Sequence, residues 1–96
     1  MYVVVAYDVN VQTKEGRKRL REVAKICLNY GQRVQFSVFE CLVTPDLWNK
    51  VKAALEKTIN PATDSLRYYY LGKNWQNRVD SFGTAQTYDP DEFLLI

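Results

Sequence analysis

The chain has 96 residues, enough for one compact domain and too few for two. With 47% hydrophobic and 25% charged residues it is an ordinary globular composition, and zero His excludes Ser/His triads, His-paired Cys nucleophiles, His acid/base pairs and His-containing zinc sites together. Net charge is only +2, yet residues 1 to 36 carry seven Lys/Arg against three acids while residues 80 to 96 carry four acids and no base, so the front is cationic and the tail anionic.

Residues 2 to 8 form an almost uninterrupted Val/Tyr run ended by Asp8, as expected of a central strand. The run is too short to span a membrane and has no basic leader, which predicts neither signal peptide nor membrane partner. Residues 9 to 14 are polar enough for a loop. From about Glu15 the apolar residues Leu20, Val23, Ala24, Cys27 and Leu28 recur at helical spacing, and Gly31 is expected to close this helix. Cys27 and Cys41 both lie in apolar stretches, the pattern of a reduced, cytoplasmic protein.

Residues 32 to 43 alternate through Val34, Phe36 and Val38, then change phase to Phe39, Cys41 and Val43. One inserted residue flips every later side chain, so this stretch reads as a bulge or, in preference, two strands. Thr44 is a natural N-cap with Pro45 at the first helical position and Asp46 in the first turn. The stripe Leu47, Trp48, Val51, Ala54 and Leu55 then predicts a second helix, stopped by Asn60-Pro61. Ser65 to Leu71 reads as an aromatic strand ended by Gly72, and Val79 to Phe82 as a short one closed by Gly83.

Strand-helix-strand-strand-helix-strand is the ferredoxin-like order, an α+β fold with an antiparallel sheet and both helices on one face. Residues 1 to 83 make that domain, and 84 to 96 make an acidic then apolar tail. The uncovered sheet face predicts a homodimer.

Three segments carry a resemblance. Tyr7-Asp8-Val9, Gly16-Arg17-Lys18-Arg19-Leu20 and, most specifically, Gly31-Gln32-Arg33-Val34-Gln35-Phe36-Ser37-Val38-Phe39-Glu40 look like the small CRISPR-associated endonuclease family, whose members partner the CRISPR integrase in spacer acquisition. The resemblance runs from residue 1 to about residue 83. It implies a homodimer whose sheets face each other, with Asp8 of both protomers binding one divalent metal, magnesium or manganese. It further implies a nuclease role for Tyr7, Arg17, Arg19, Arg33 and Phe39, and single-stranded RNA or double-stranded DNA as substrate. Some members act instead as a non-catalytic scaffold for DNA held between integrase dimers.

On composition alone Asp8 reads as a strand-end residue capping the next loop; the resemblance makes it the metal ligand. Mg²⁺ takes six oxygens and keeps several waters, so two Asp8 side chains are a minimal protein share. A proton shared by the facing carboxylates must leave before metal binds, so cleavage is expected to rise with pH through the acid range. Arg17 and Arg21 share a helix face, whereas Arg19 lies about 200° from Arg17. Arg33 is placed to clamp phosphate bidentately, and Lys14, Lys18 and Arg21, with Arg17, Arg19 and Arg33, form the expected nucleic-acid surface. Ser37 lacks a visible base and reads as a structural hydroxyl; Phe39 and Tyr69 read as core or interface. The terminal Phe93 to Ile96 run suggests strand addition to the other protomer or to the integrase. The resemblance thus implies a magnesium-dependent endonuclease of CRISPR antiviral defence, with a dimeric DNA-binding scaffold as the alternative.

Overall fold

The computed structural model describes residues 1–72 and 79–83. Within them the chain runs β1 (Tyr2–Asp8), α1 (Lys14–Leu28), β2 (Gly31–Gln35), β3 (Val38–Leu42), α2 (Pro45–Thr58), β4 (Ser65–Tyr70) and β5 (Val79–Gly83). The strands form one sheet in the order β2-β3-β1-β4-β5, every neighbouring pair antiparallel. This is the α+β, ferredoxin-like arrangement expected from the element order, with β5 added beside β4. The tail from residue 84, expected as a docking strand, lies outside the described residues.

β1 occupies the middle of the sheet because it can be buried from both sides along its backbone. Its alternate residues Val3, Val5 and Tyr7 join Phe39 and Cys41 of β3 and Leu66 and Tyr68 of β4 in a single core with Leu20, Val23 and Cys27 of α1 and Trp48, Val51 and Leu55 of α2. Both helices therefore cover the same sheet face. Trp48 packs edge-on against Tyr68 and Tyr70, with ring centroids 5.0 and 5.9 Å away, and its indole N–H donates to the Tyr70 hydroxyl at 3.1 Å. That hydrogen bond lets a polar aromatic pair sit inside an apolar layer without an unpaired donor.

The other set of β1 side chains, Tyr2 to Asp8 by twos, faces the side that neither helix covers. Tyr2 pairs with Leu42 of β3 there, and both are about half exposed, at 47% and 55%.

The phase change in residues 32 to 43 has two physical sources. β2 and β3 are separate strands joined through Phe36 and Ser37, and their register also shifts between Arg33 and Gln35. Gly31 does not close α1: the helix ends at Leu28 with Asn29 as its C-cap, and Gly31 opens β2. Glycine is required there by close approach, since a Cβ would lie 1.8 Å from the Glu40 carbonyl oxygen.

Candidate functional site

Asp8 is the last residue of β1, opposite Ser65 of β4, and it is exposed. Strand alternation puts it on the helix-free face, while its neighbour Tyr7 points into the core. The loop that follows is built from its own side chains. Asn10 accepts from the Gln12 N–H at 2.9 Å, and the Thr13 hydroxyl donates to the Asn10 carbonyl at 3.2 Å and accepts from the Gly16 N–H at 3.0 Å. Gly16 lets α1 begin against this loop, because a Cβ would lie 1.9 Å from the Asn10 carbonyl oxygen. Arg17 then donates to the carbonyls of Val11 and Gln12 at 3.0 and 3.1 Å. Its guanidinium is thus occupied in bracing the loop.

On the opposite side of β1 lies a buried polar cluster centred on Asp64. Asp64 Oδ2 accepts from the Tyr7 hydroxyl at 2.5 Å, from Arg19 Nε at 2.7 Å and from the Asn60 N–H at 3.1 Å. Oδ1 accepts from Arg19 Nη2 at 3.2 Å and from the Thr63 hydroxyl at 3.0 Å. The carboxylate is 1% exposed and Arg19 21%. Burial acts to raise the Asp64 pKa, but the donors from Arg19, Tyr7, Asn60 and Thr63 outweigh it and hold the group below the usual carboxylate range. Burial and the bond to Asp64 push the Tyr7 phenol well above its ordinary value, so it remains a protonated donor at neutral pH. The same bond to Asp64 raises Arg19, which stays charged.

Arg33, on the exposed edge strand β2, lies with its guanidinium carbon 5.2 Å from the Phe39 ring centroid and 5.8 Å from that of Phe36. Phe39 is wholly buried and Phe36 is exposed, so the guanidinium rests on aromatic faces with its outer edge toward solvent. Lys14, Lys18, Arg21 and Lys25 are all exposed and follow at spacings of four, three and four along α1, which makes one cationic stripe. On α2, Lys52 pairs with Asp80 of β5 at 2.8 Å, and Glu56 accepts from the Tyr68 hydroxyl at 3.0 Å.

The family model described as CRISPR associated protein Cas2 matches residues 1–79. The chain belongs to the Cas2 family. It is 52% identical over its full length to the CRISPR-associated endoribonuclease Cas2 of Chlorobaculum tepidum, also matched over 100% of its length. It is 44% identical to the CRISPR-associated endonuclease Cas2 of Halalkalibacterium halodurans, covering 99% of both chains. The crystal structure of Streptococcus pyogenes Cas2 at pH 6.5 superposes with a TM-score of 0.74 and 60% identity, over 83% of this chain and 96% of that one.

Against the Cas2 resemblance, the residues expected to act together fall into separate groups. Tyr7 and Arg19 meet, through Asp64 and on the helix side of the sheet; Arg33 and Phe39 meet at the β2–β3 edge; Arg17 braces the loop; Asp8 alone of the six faces the open side. Sequence reasoning did not find Asp64. Its signal was an acid in the short connection after a helix stop and directly before an apolar strand, a place where a charge is buried only with partners, but the Tyr7 and Arg19 partners come from β1 and α1 and are invisible without the tertiary packing.

Among the described residues no three His, Cys, Asp or Glu side chains come together as a metal cage. One chain therefore offers a divalent cation one open-face carboxylate at this strand end, which fits the donor chemistry of magnesium only if a second copy supplies another. No helix among the described residues is long and apolar enough to cross a membrane.

Proposed function

We propose that this Cas2-family chain is a homodimeric, magnesium- or manganese-dependent endonuclease acting on phosphodiesters of single-stranded RNA or double-stranded DNA in CRISPR defence. The observation that carries the reading is Asp8: an exposed carboxylate at the end of the central strand, on the uncovered face, in a chain half identical to a relative named an endoribonuclease.

Two copies joined face to face would bury the half-exposed Tyr2 and Leu42 and bring two Asp8 side chains to one symmetry axis. Those two carboxylates would hold the metal, which supplies charge shielding of the phosphate and activation of water for attack. The chain's own cations bind and orient. The α1 stripe of Lys14, Lys18, Arg21 and Lys25 attracts the phosphate backbone, and Arg33, stiffened by Phe36 and Phe39, presents a flat guanidinium for bidentate phosphate contact. Tyr7 and Arg19 act on the site from behind the sheet, through their bonds to Asp64.

A second reading is favoured by the internal engagement of Arg17 and Arg19: a dimeric scaffold that binds DNA for the CRISPR integrase through the α1 stripe and cuts nothing. The test uses labelled RNA and duplex DNA with wild type and Asp8→Ala, in Mg²⁺ and in chelator. Endonuclease function predicts cleavage that needs both Mg²⁺ and Asp8. Cleavage unchanged by Asp8→Ala would belong to a contaminant, and intact DNA binding without cleavage would leave the scaffold.

A further inference from the structure

Resting on the reading of Asp8 as metal ligand, we propose that Asp64 is a positioning residue for Asp8, acting through Tyr7. Tyr7 and Asp8 are consecutive in β1 and point to opposite faces, so a rotation or sliding of the strand end that moves one moves the other. β1 ends at Asp8, where its ladder with β4 also ends, and beyond it the chain enters a loop.

Side-chain anchorage on the core side adds to the backbone pairing with Leu66, Ser65 and Ser37 that this end already has. The Tyr7 ring is buried at 1% exposure and its hydroxyl is tied to Asp64 Oδ2. Asp64 is itself immobilised by Arg19 of α1 and, within the α2–β4 connection, by the Asn60 N–H near its start and by Thr63 beside it. Its own N–H donates to the Asn60 carbonyl at 2.7 Å. Asp64 directly precedes Ser65, the register partner of Asp8, so the anchor sits at the same end of the β1–β4 pair as the carboxylate it steadies. A buried anionic acceptor shared by a tyrosine and an arginine is a costly way to make a core. Hydrophobic residues of the same volume would fill this space, but they would not fix the strand end at one height and rotation.

Asp64 does not touch substrate or metal in this account; it sets where Asp8 stands. The variants are Asp64→Asn, which keeps the size and removes the charge, and Tyr7→Phe, which keeps the buried ring and removes one bond. Two readouts separate positioning from folding. The first is amide hydrogen exchange at the Tyr7 N–H, which donates to the Ser37 carbonyl near the end of β1, compared with the Leu42 N–H, which donates to the Tyr30 carbonyl at the end of β3 that pairs with the start of β1. Both variants should speed exchange at Tyr7 by about tenfold relative to Leu42. Equal acceleration at both amides, or none at Tyr7, overturns the proposal.

The second readout is Mn²⁺ binding by electron paramagnetic resonance. Wild type should bind Mn²⁺, Asp8→Ala should lose it, and Asp64→Asn and Tyr7→Phe should weaken it by about tenfold, the size of effect expected for a group supporting a ligand. Wild-type affinity in both variants overturns positioning. If wild type binds no Mn²⁺, or Asp8→Ala binds it equally well, the metal reading fails on its own, and the exchange comparison alone then decides whether Asp64 fixes the strand end.

Discussion

At residue scale the Asp64 cluster governs how the fold responds to acid. Five hydrogen bonds converge on two buried oxygens. Asp64→Ala leaves Arg19 without its partner and the buried Tyr7 hydroxyl without an acceptor, and is expected to cost about 3–5 kcal/mol in denaturant unfolding at pH 7. The sign with pH follows from the direction of the shift. The folded carboxyl is held below its unfolded value near 3.9, so its contribution is fully present above that value and is lost as pH falls through it and then through the lower folded pKa. The stability gap between wild type and Asp64→Ala should therefore be constant between pH 6 and 7 and close below about pH 4. A gap that persisted undiminished at pH 3 would show that the carboxylate charge is not what the cluster uses. The place of Asp8 at the end of β1 was legible in the sequence because the Val/Tyr run ends on it. Asp64 was not, because its importance lies in two partners 57 and 45 positions away along the chain.

At element scale, the helices were the readable part. Thr44 caps α2 as its sequence suggests, its hydroxyl accepting from the Leu47 N–H at 3.3 Å, and Thr44→Ala should lower unfolding stability by about 1 kcal/mol. Apolar spacing likewise located the buried stripe of α1. The boundary between α1 and β2 was less readable, since a glycine after a helical pattern ordinarily marks a C-terminus, whereas Gly31 answers to the Glu40 carbonyl on the neighbouring strand. Gly31→Ala should consequently destabilise by about 1–3 kcal/mol and raise exchange along β2–β3 more than along β1–β4. The pairing of Tyr7 with Arg19 also escaped helical-wheel reasoning. Angular separation showed that Arg17 and Arg19 diverge, but only the packing of α1 against the sheet shows that Arg19 turns inward.

At the scale of the whole molecule, the proposed function depends on two faces that one chain leaves open. The α1 stripe should supply sequence-independent attraction for nucleic acid, so replacing Lys14 and Lys18 with Ala should weaken RNA and DNA binding alike. The slope of log affinity against log salt should flatten by roughly one unit for each phosphate contact removed. Substitutions that left the slope untouched would move the binding surface elsewhere. The helix-free sheet face, with Asp8 at one end and Tyr2 and Leu42 at the other, carries the central claim that one metal is shared by two subunits. The most direct test is a heterodimer, purified through two different tags, with one wild-type subunit and one Asp8→Ala subunit. Shared ligation predicts that this species cleaves no faster than the Asp8→Ala homodimer; half or more of the wild-type rate would show that each subunit carries its own site and would contradict the account.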